Sequence, residues 1–267
     1  MKISIYSTAF NIIKNEFNYE DAIKNYLYYA DELCLAVNKS EDDSLQEIIN
    51  YVDKNNLKNV KIIPTDFKYD DPFCYGKIVN AALQACTGDI CILQDLDERL
   101  GGNKDYLINL CQNFLKLENI QALFVPVINL YQDINHYKDI SFKWYIHKKG
   151  LYRGPVNFGI KENGLPDYNK TSTDELIDKN GNLVPTINIV QSLNFKESID
   201  YIELNYPFIY HLGYTDFHKR VKRNNFWKPF WEKATGGDSN THVLNVNDLY
   251  QNNLLELKIP KWSIINI

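Results

Sequence analysis

The chain has 267 residues, of which 45% are hydrophobic and 24% are charged, as in ordinary soluble globular proteins. Its formal net charge of -5 argues against a nucleic-acid partner, because a general nucleic-acid binder carries a basic excess. No stretch approaches the roughly 20 apolar residues of a membrane helix, and the N-terminal apolar run is too short for a signal peptide.

The five cysteines are odd in number and lack metal-like spacing. Four of them lie in apolar stretches, namely Cys34, Cys86, Cys91 and Cys111. We therefore expect buried free thiols rather than a disulfide framework, and hence a reducing, cytoplasmic compartment. Peripheral contact with a membrane is compatible with this expectation.

The first half of the chain alternates predicted strands and helices. In chain order we predict a strand at 2–6, a helix from Asn18 to about Ala30, a strand at 32–37, a helix from Ser44, a strand at 60–63, a helix at 75–86 and a strand at 90–93. Three boundaries are specific: Asn18 caps the first helix, Pro64 ends the third strand, and Gly88 ends the third helix in a left-handed conformation.

This alternation implies right-handed crossovers and a parallel sheet. The strands are apolar without alternation, as expected where helices cover both faces. The predicted fold class is therefore α/β, with a mostly parallel central sheet flanked by helices. Ligands of such sheets bind at the carboxyl ends of the strands, where Asp95 and Asp97 lie.

The second half is less regular. We predict a helix at 103–117, a strand at 122–125 before Pro126, strand-like pieces at 142–146, 187–190 and 208–210, and a helix from Thr215 to about Lys233. No repeat, linker or low-complexity tract interrupts the chain, so we expect a single domain over 1–267.

The tripeptide Asp95-Leu96-Asp97 follows a predicted buried strand. In an extended segment, residues i and i+2 face the same side, so we expect the two carboxylates to converge. Two close carboxylates repel one another unless a cation or a proton lies between them. Oxygen-rich sites select hard ions such as Mg²⁺ or Mn²⁺. A solvated loop is the alternative, and the preceding apolar strand favours the metal.

The segment from Tyr75 to Glu98 resembles the donor-binding core of glycosyltransferases with the GT-A fold, and is similar in particular to those of family 2. The shared features are a basic residue, an asparagine, a helix of small residues, a Gly-Asp pair and the acidic strand end. The resemblance covers residues 1–100 well and the remainder in patches. It implies a GT-A, Rossmann-like fold, a nucleotide diphospho-sugar donor bound by 1–100, and a glycan or lipid-linked acceptor bound by 101–267.

The same resemblance implies roles for individual residues. The residues expected at the nucleotide are Ser7, Thr8, Asn11, Asn38, Lys77, Asn80, Asp95 and Leu96. Asn38 stands where the family usually has a base-contacting Asp, and Lys77 is otherwise a solvated surface lysine. Asp95, Asp97 and the later His211 are expected to bind the metal ion, Mn²⁺ or Mg²⁺. An imidazole ligand shifts the choice toward Mn²⁺, and a structural histidine is the alternative.

The densest basic run comprises His218, Lys219, Arg220, Lys222 and Arg223. Such a run is usually a solvated face. Because it follows His211 closely, some of its members are also candidates to grip the diphosphate, with arginine binding in bidentate fashion.

The catalytic base is the weakest part of the pattern. An inverting transferase needs a carboxylate to deprotonate the acceptor hydroxyl, and relatives carry a Val-His-Glu-like segment where this chain has Phe158. Another acid serves, or the mechanism is retaining, or activity has been lost. Asp174 and Glu162 are the candidate catalytic residues, and inversion is slightly favoured.

Two other functions are alternatives to a glycosyltransferase. A nucleotidyltransferase needs a glycine-rich loop after the first strand, and residues 7–11 contain no glycine. A non-catalytic nucleotide-sugar or glycan-binding module stays open because of Phe158.

Overall fold

A computed structural model describes residues 1–68, 74–131, 133–134, 136–153, 159–160, 166–167, 176–188, 208–216, 218–223, 225 and 255–256. The helices are α1 (Tyr19–Tyr29), α2 (Ser44–Lys54), α3 (Cys74–Gln84) and α4 (Lys104–Leu115). The strands are β1 (Ile3–Ala9), β2 (Glu32–Asn38), β3 (Val60–Thr65), β4 (Ile90–Leu93), β5 (Glu98–Gly101), β6 (Ala122–Tyr131), β7 (His136–Lys148), β8 (Tyr152–Arg153), β9 (Gly159–Ile160), β10 (Pro166–Asp167), β11 (Leu176–Ile177), β12 (Thr186–Asn188), β13 (Phe208–Tyr214) and β14 (Leu255–Glu256).

The main sheet has the strand order β3-β2-β1-β4-β7-β6-β13-β5, and β12 and β14 pair with β6 and β7. Among its described strands, only β7 and β5 run against the direction of β1. This arrangement confirms the predicted α/β class with a mostly parallel sheet, and it is consistent with a GT-A, Rossmann-like fold.

The centre of the sheet is its best buried part. Every residue of β2 and of β4 is buried. Helix α3 packs against β1, β2 and β3, whereas α1 packs against β2 and β5. Covered strands of this kind bring the carboxyl ends of β1, β2 and β4 to one edge, which is where a ligand of an open α/β sheet binds.

Two prolines lie inside strands that we predicted they would end. Pro64 belongs to β3, whose only neighbour among the described strands is β2. An edge strand tolerates a missing N–H. Pro126 belongs to β6 and lies between the residues that pair with β12 and those that pair with β13. The ladder on that side is interrupted there, which explains why the strand continues.

We predicted that Gly88 ends α3 in a left-handed conformation, and this prediction is wrong. The helix stops at Gln84, and Gly88 is not among the described residues with positive φ. The reason for the glycine is space: an added Cβ would lie 2.5 Å from Ser4 Oγ and 2.8 Å from the carbonyl oxygen of Lys2. The Gly88 N–H instead donates to Ser4 Oγ at 2.8 Å.

The predicted helix caps also differ from the observed ones. Asn18 occupies the N-cap position of α1, but its side chain makes no capping bond and donates to the Asp21 carboxylate. The helical segment 218–223 is capped by Asp216, whose Oδ1 accepts from the Lys219 N–H at 3.1 Å. Thr215, the predicted cap, donates to the Leu212 carbonyl at 2.8 Å.

Two further expectations concern the whole chain. All five cysteines are buried and none forms a disulfide, which confirms the prediction for Cys34, Cys86, Cys91 and Cys111. Within the described ranges, no helix combines the length and the apolar character that crossing a membrane requires.

Glu32 is a buried carboxylate that forms an ionic cluster with two partly exposed lysines, at the edge of the sheet opposite the predicted site. Its carboxylate accepts from the ammonium groups of Lys2 at 2.8 Å and Lys61 at 2.9 Å, and from the Ser4 hydroxyl and the Thr87 N–H at 2.5 and 2.6 Å. Burial acts to raise the pKa of Glu32, but these donors outweigh it and hold the pKa well below its usual range. The cluster ties the starts of β1, β2 and β4 together.

Candidate functional site

The acidic segment after β4 is a tight turn. The Glu98 N–H donates to the Asp95 carbonyl at 2.8 Å, and Glu98 Oε2 accepts from the Asp95 N–H at 3.0 Å. The buried Tyr26 hydroxyl donates to the carbonyl oxygens of both residues. The prediction of an extended Asp95-Leu96-Asp97 segment is therefore wrong, because these bonds close the chain on itself and start β5 at Glu98.

The turn divides the roles of the two aspartates. Asp95 borders a cleft of about 190 Å³ and accepts from the Tyr75 hydroxyl at 3.2 Å. Asp97 borders this cleft and also a second cavity of about 420 Å³. The two side chains thus share one cleft, although the turn geometry does not stack them on one face as a strand would.

The smaller cleft, which we call the β1–β4 cleft, lies at the carboxyl ends of β1 and β4. It is lined by Thr8, Ala9, Phe10, Phe17, Cys74, Tyr75, Ile78, Asp95, Leu96 and Asp97. An apolar cleft with a few polar groups at its rim is typical of small-molecule sites. Of the residues predicted at the nucleotide, it brings together Thr8, Asp95 and Leu96.

Asn11 and Asn38 organise the loops beside this cleft. Asn11 has φ of 46°, and its Oδ1 accepts from the Glu41 N–H at 2.8 Å. Asn38 Oδ1 accepts from the Phe67 N–H at 2.9 Å, and its Nδ2 donates to the Phe67 carbonyl at 3.0 Å. Both asparagines hold backbone in place, and direct contact with a nucleotide stays a prediction for each.

The remaining residues that we predict at the nucleotide are not among those that line this cleft. Asn80 pairs with the backbone of Arg153, donating to its carbonyl at 2.8 Å and accepting from its N–H at 2.9 Å. Lys77 is exposed on α3. Ser7 Oγ and Asn11 Nδ2 are buried without a hydrogen-bond partner among the described residues. The roles of these residues at a nucleotide stay predictions.

His211 faces Asp97 across the end of the sheet. The Nε2 atom of His211 lies 3.6 Å from Asp97 Oδ2. Its Nδ1 lies 3.0 Å from Oδ1 of Asn129, the residue of β6 that pairs with His211. Because an amide oxygen accepts hydrogen bonds, the imidazole proton is assigned to Nδ1. Metal-binding histidines are commonly oriented by such a second hydrogen bond. The sequence does not single out Asn129, because a strand register between distant segments cannot be read from sequence.

Gly213 keeps the space between these two side chains open. An added Cβ would lie 2.6 Å from His211 Nε2 and 2.9 Å from Asp97 Oδ2. The Leu212 N–H also donates to the Asp97 carbonyl at 2.7 Å, which fixes the two segments against each other. A carboxylate oxygen and an imidazole nitrogen that point into one small space fit a divalent ion such as Mn²⁺.

The predicted three-ligand set is not formed. Among the described residues, no three His, Cys, Asp or Glu side chains are grouped as a metal site would need. Asp97 and His211 converge, whereas Asp95 is directed to Tyr75. Two protein ligands suffice for an ion that keeps waters and is completed by substrate phosphates.

Gly213→Ala is expected to weaken Mn²⁺ binding roughly tenfold or more, because the methyl group would enter the space that the two ligands share. Titration of Mn²⁺ followed by electron paramagnetic resonance measures this. Gly181→Ala is the control for a strained glycine substitution away from the site, since φ is 83° there and an added Cβ meets nothing within 4 Å. Equal Mn²⁺ affinity in wild type and Gly213→Ala would contradict the site.

Arg223 completes the surroundings of Asp97. Its Nη1 lies 3.2 Å from Asp97 Oδ2, its guanidinium lies 4.0 Å from the centre of the Phe17 ring, and the side chain is buried. Burial lowers the pKa of Arg223, and the Asp97 charge acts in the opposite direction. Lys222, from the same basic run, is exposed and pairs with Glu16. The basic run therefore contributes one buried side chain to the surroundings of Asp97 and one exposed side chain to the surface.

The larger cavity lies beyond Arg223 and Asp97. Its lining is mostly polar and comprises Glu16, Asn18, Asp21, Asn25, Leu96, Asp97, Arg99, Ile134, Leu212, Gly213, Thr215, Asp216, Lys219 and Arg223. The candidate catalytic residues Asp174 and Glu162, together with Phe158, lie outside the described residues. Their roles stay predictions.

No family model matches the chain, and no curated protein matches it. Among solved structures, it is similar to glucosyl-3-phosphoglycerate synthase from Mycobacterium tuberculosis in complex with Mg²⁺ and uridine diphosphate, at 20% identity and a TM-score of 0.31. That match covers 49% of this chain and 44% of the synthase chain, less than half of its length. S. aureus TarS 1-349 matches at 14% identity over 90% of this chain and 73% of that chain, with a TM-score of 0.42. These similarities assign neither a substrate nor an activity to this chain.

Proposed function

We propose that this chain is a metal-dependent glycosyltransferase that moves a sugar from a nucleotide diphospho-sugar to a glycan or lipid-linked acceptor, with inversion slightly favoured. The observation that carries the proposal is the approach of Asp97 Oδ2 and His211 Nε2 to 3.6 Å beside the β1–β4 cleft. We also propose that 1–267 act as one domain, with the donor bound by 1–100, in the cytoplasm.

The proposed division of labour follows from the contacts. Asp97 and His211 hold the ion, and Asn129 keeps Nε2 directed at it. When bound, Mn²⁺ or Mg²⁺ offsets the charge that develops on the leaving nucleoside diphosphate. The Leu212 N–H, bonded to the Asp97 carbonyl, fixes the backbone that carries the carboxylate before the donor arrives. Such preorganisation means that little rearrangement is needed during the reaction.

The β1–β4 cleft is the proposed nucleoside site. Its aromatic side chains, Phe10 and Tyr75, offer faces for a base, and the Asp95 carboxylate offers an acceptor for ribose hydroxyls. Asn11 and Asn38 act by positioning the loops at the ends of β1 and β2. We propose Asp174 or Glu162 as the base that deprotonates the acceptor.

A donor-hydrolysis panel tests the proposal. The protein is incubated with uridine, guanosine and other nucleotide sugars, with Mn²⁺ or with a chelator, and the released nucleotide is identified. Metal-dependent release of one nucleoside diphosphate supports the transferase. Pyrophosphate release from nucleoside triphosphates would instead identify a nucleotidyltransferase, and donor binding without turnover would identify a binding module.

A further inference from the structure

We propose that Arg223 is a built-in counter-cation for Asp97, which competes with the divalent ion for this carboxylate when no donor is bound. Free metal then binds weakly, and it binds tightly only together with the anionic diphosphate. This inference rests on the metal site proposed above and adds a reason for the order in which its ligands assemble.

A guanidinium and an imidazole nitrogen approach the same carboxylate oxygen. Arg223 Nη1 lies 3.2 Å from Asp97 Oδ2, and His211 Nε2 approaches that oxygen to 3.6 Å. An ion held by Oδ2 and Nε2 would therefore lie beside the guanidinium. Two cations at such a distance repel one another, and the repulsion is strong where little water screens it. Metal and Arg223 thus oppose each other at Asp97.

Arg223 is held where it is by more than the ion pair. Its guanidinium stacks on Phe17 at 4.0 Å, and its Nε lies 3.5 Å from the Asn15 carbonyl oxygen. The side chain is 8% exposed. Because Phe17 lines the β1–β4 cleft and Arg223 lines the larger cavity, the guanidinium stands between the two spaces that meet at Asp97. A diphosphate placed there would pair with both cations and remove their conflict.

The test is Mn²⁺ affinity in the absence of any nucleotide. The full chain, its Arg223→Met variant and a Lys222→Met control are titrated with Mn²⁺ alone and followed by electron paramagnetic resonance. We expect Arg223→Met to bind Mn²⁺ roughly tenfold more tightly than wild type, because a charge-assisted competitor is removed. Lys222→Met should match wild type, since Lys222 pairs with Glu16 on the surface.

Arg223→Lys retains a cation and should keep affinity for Mn²⁺ close to that of wild type. If Arg223→Met does not fold, Arg223→Gln replaces it, and the rise in melting temperature on adding Mn²⁺ should be larger in the variant than in wild type. Equal or weaker Mn²⁺ binding in the charge-removed variant overturns the inference while the proposed function stands on the donor panel. Absence of Mn²⁺ binding in every variant, together with chelator-insensitive donor hydrolysis, overturns the metal site itself.

Discussion

Asp97→Asn is expected to abolish metal-dependent donor binding while the fold stays intact. The Asp97 carboxylate is the point to which His211 Nε2 and Arg223 Nη1 are both directed, at 3.6 and 3.2 Å. Asparagine keeps the size of the side chain and the backbone bond from Leu212, but it removes the charge that holds an ion. We expect Mn²⁺ affinity to fall by more than about 100-fold, since changes outside the ligand shell alone cost 10–100-fold.

Calorimetric titration with the nucleotide sugar that the donor-hydrolysis panel identifies, with and without Mn²⁺, measures this effect. Asp89→Asn is a matched control, because Asp89 precedes β4 at its other end and is exposed. Its donor affinity should equal that of wild type. Unchanged donor affinity in Asp97→Asn would rule out the assignment of this carboxylate to the metal.

Glu32→Ala is expected to lower the free energy of unfolding by about 1–3 kcal/mol, the cost of leaving donors without an acceptor, since the lysine partners are 44% and 42% exposed and stay hydrated. The substitution leaves the Ser4 hydroxyl and the Thr87 N–H without their carboxylate acceptor. Urea denaturation at neutral pH measures the loss. Glu41→Ala breaks an exposed pair with Lys14 and should cost less than about 1 kcal/mol.

The effect of Glu32 also depends on pH in a defined direction. Its folded pKa is lowered, so the carboxylate contributes fully above its unfolded pKa of about 4.3. That contribution is lost progressively as pH falls below this value toward the lowered folded pKa. The difference in stability between wild type and Glu32→Ala should therefore shrink as the pH is lowered from 5 toward 3. A constant difference across that range would show that the charge is not responsible.

The parts of the fold that could be predicted are those governed by local pattern. Continuous apolar runs predicted β1, β2 and β4, since a strand covered on both faces has no polar alternation. The position of Asp95 and Asp97 at a carboxyl edge followed directly from the end of β4. Helix α3 was predicted within two residues at each end.

The parts that could not be predicted depend on contacts between distant segments. The Asn129–His211 contact needs the register of β6 against β13, which no local pattern encodes. The turn at Asp95 is closed partly by Tyr26, on a helix far earlier in the chain. Gly88 and Gly213 are visible in the sequence. The atoms that leave no room for a side chain at these positions belong to segments that only folding brings close.

The residues that the family resemblance places at the nucleotide fall into two groups in the structure. Thr8, Leu96 and both aspartates do line the β1–β4 cleft. Asn80, at a position where the resemblance implied ligand contact, is bonded to the backbone of Arg153. An amide is well suited to such pairing because it donates and accepts at once.

The place of β5 at the end of the strand order bears on how fast an ion would exchange. Asp97 immediately precedes β5, His211 lies on β13, and four residue pairs join these two strands. The two proposed ligands therefore sit on opposite sides of one short ladder. Fraying of that ladder separates them at once, whereas motion of the remaining sheet carries them together. The rate at which the ion dissociates should thus follow the rate of hydrogen exchange at the Leu212 amide. Opening of this edge of the sheet would then limit how fast the ion leaves the site.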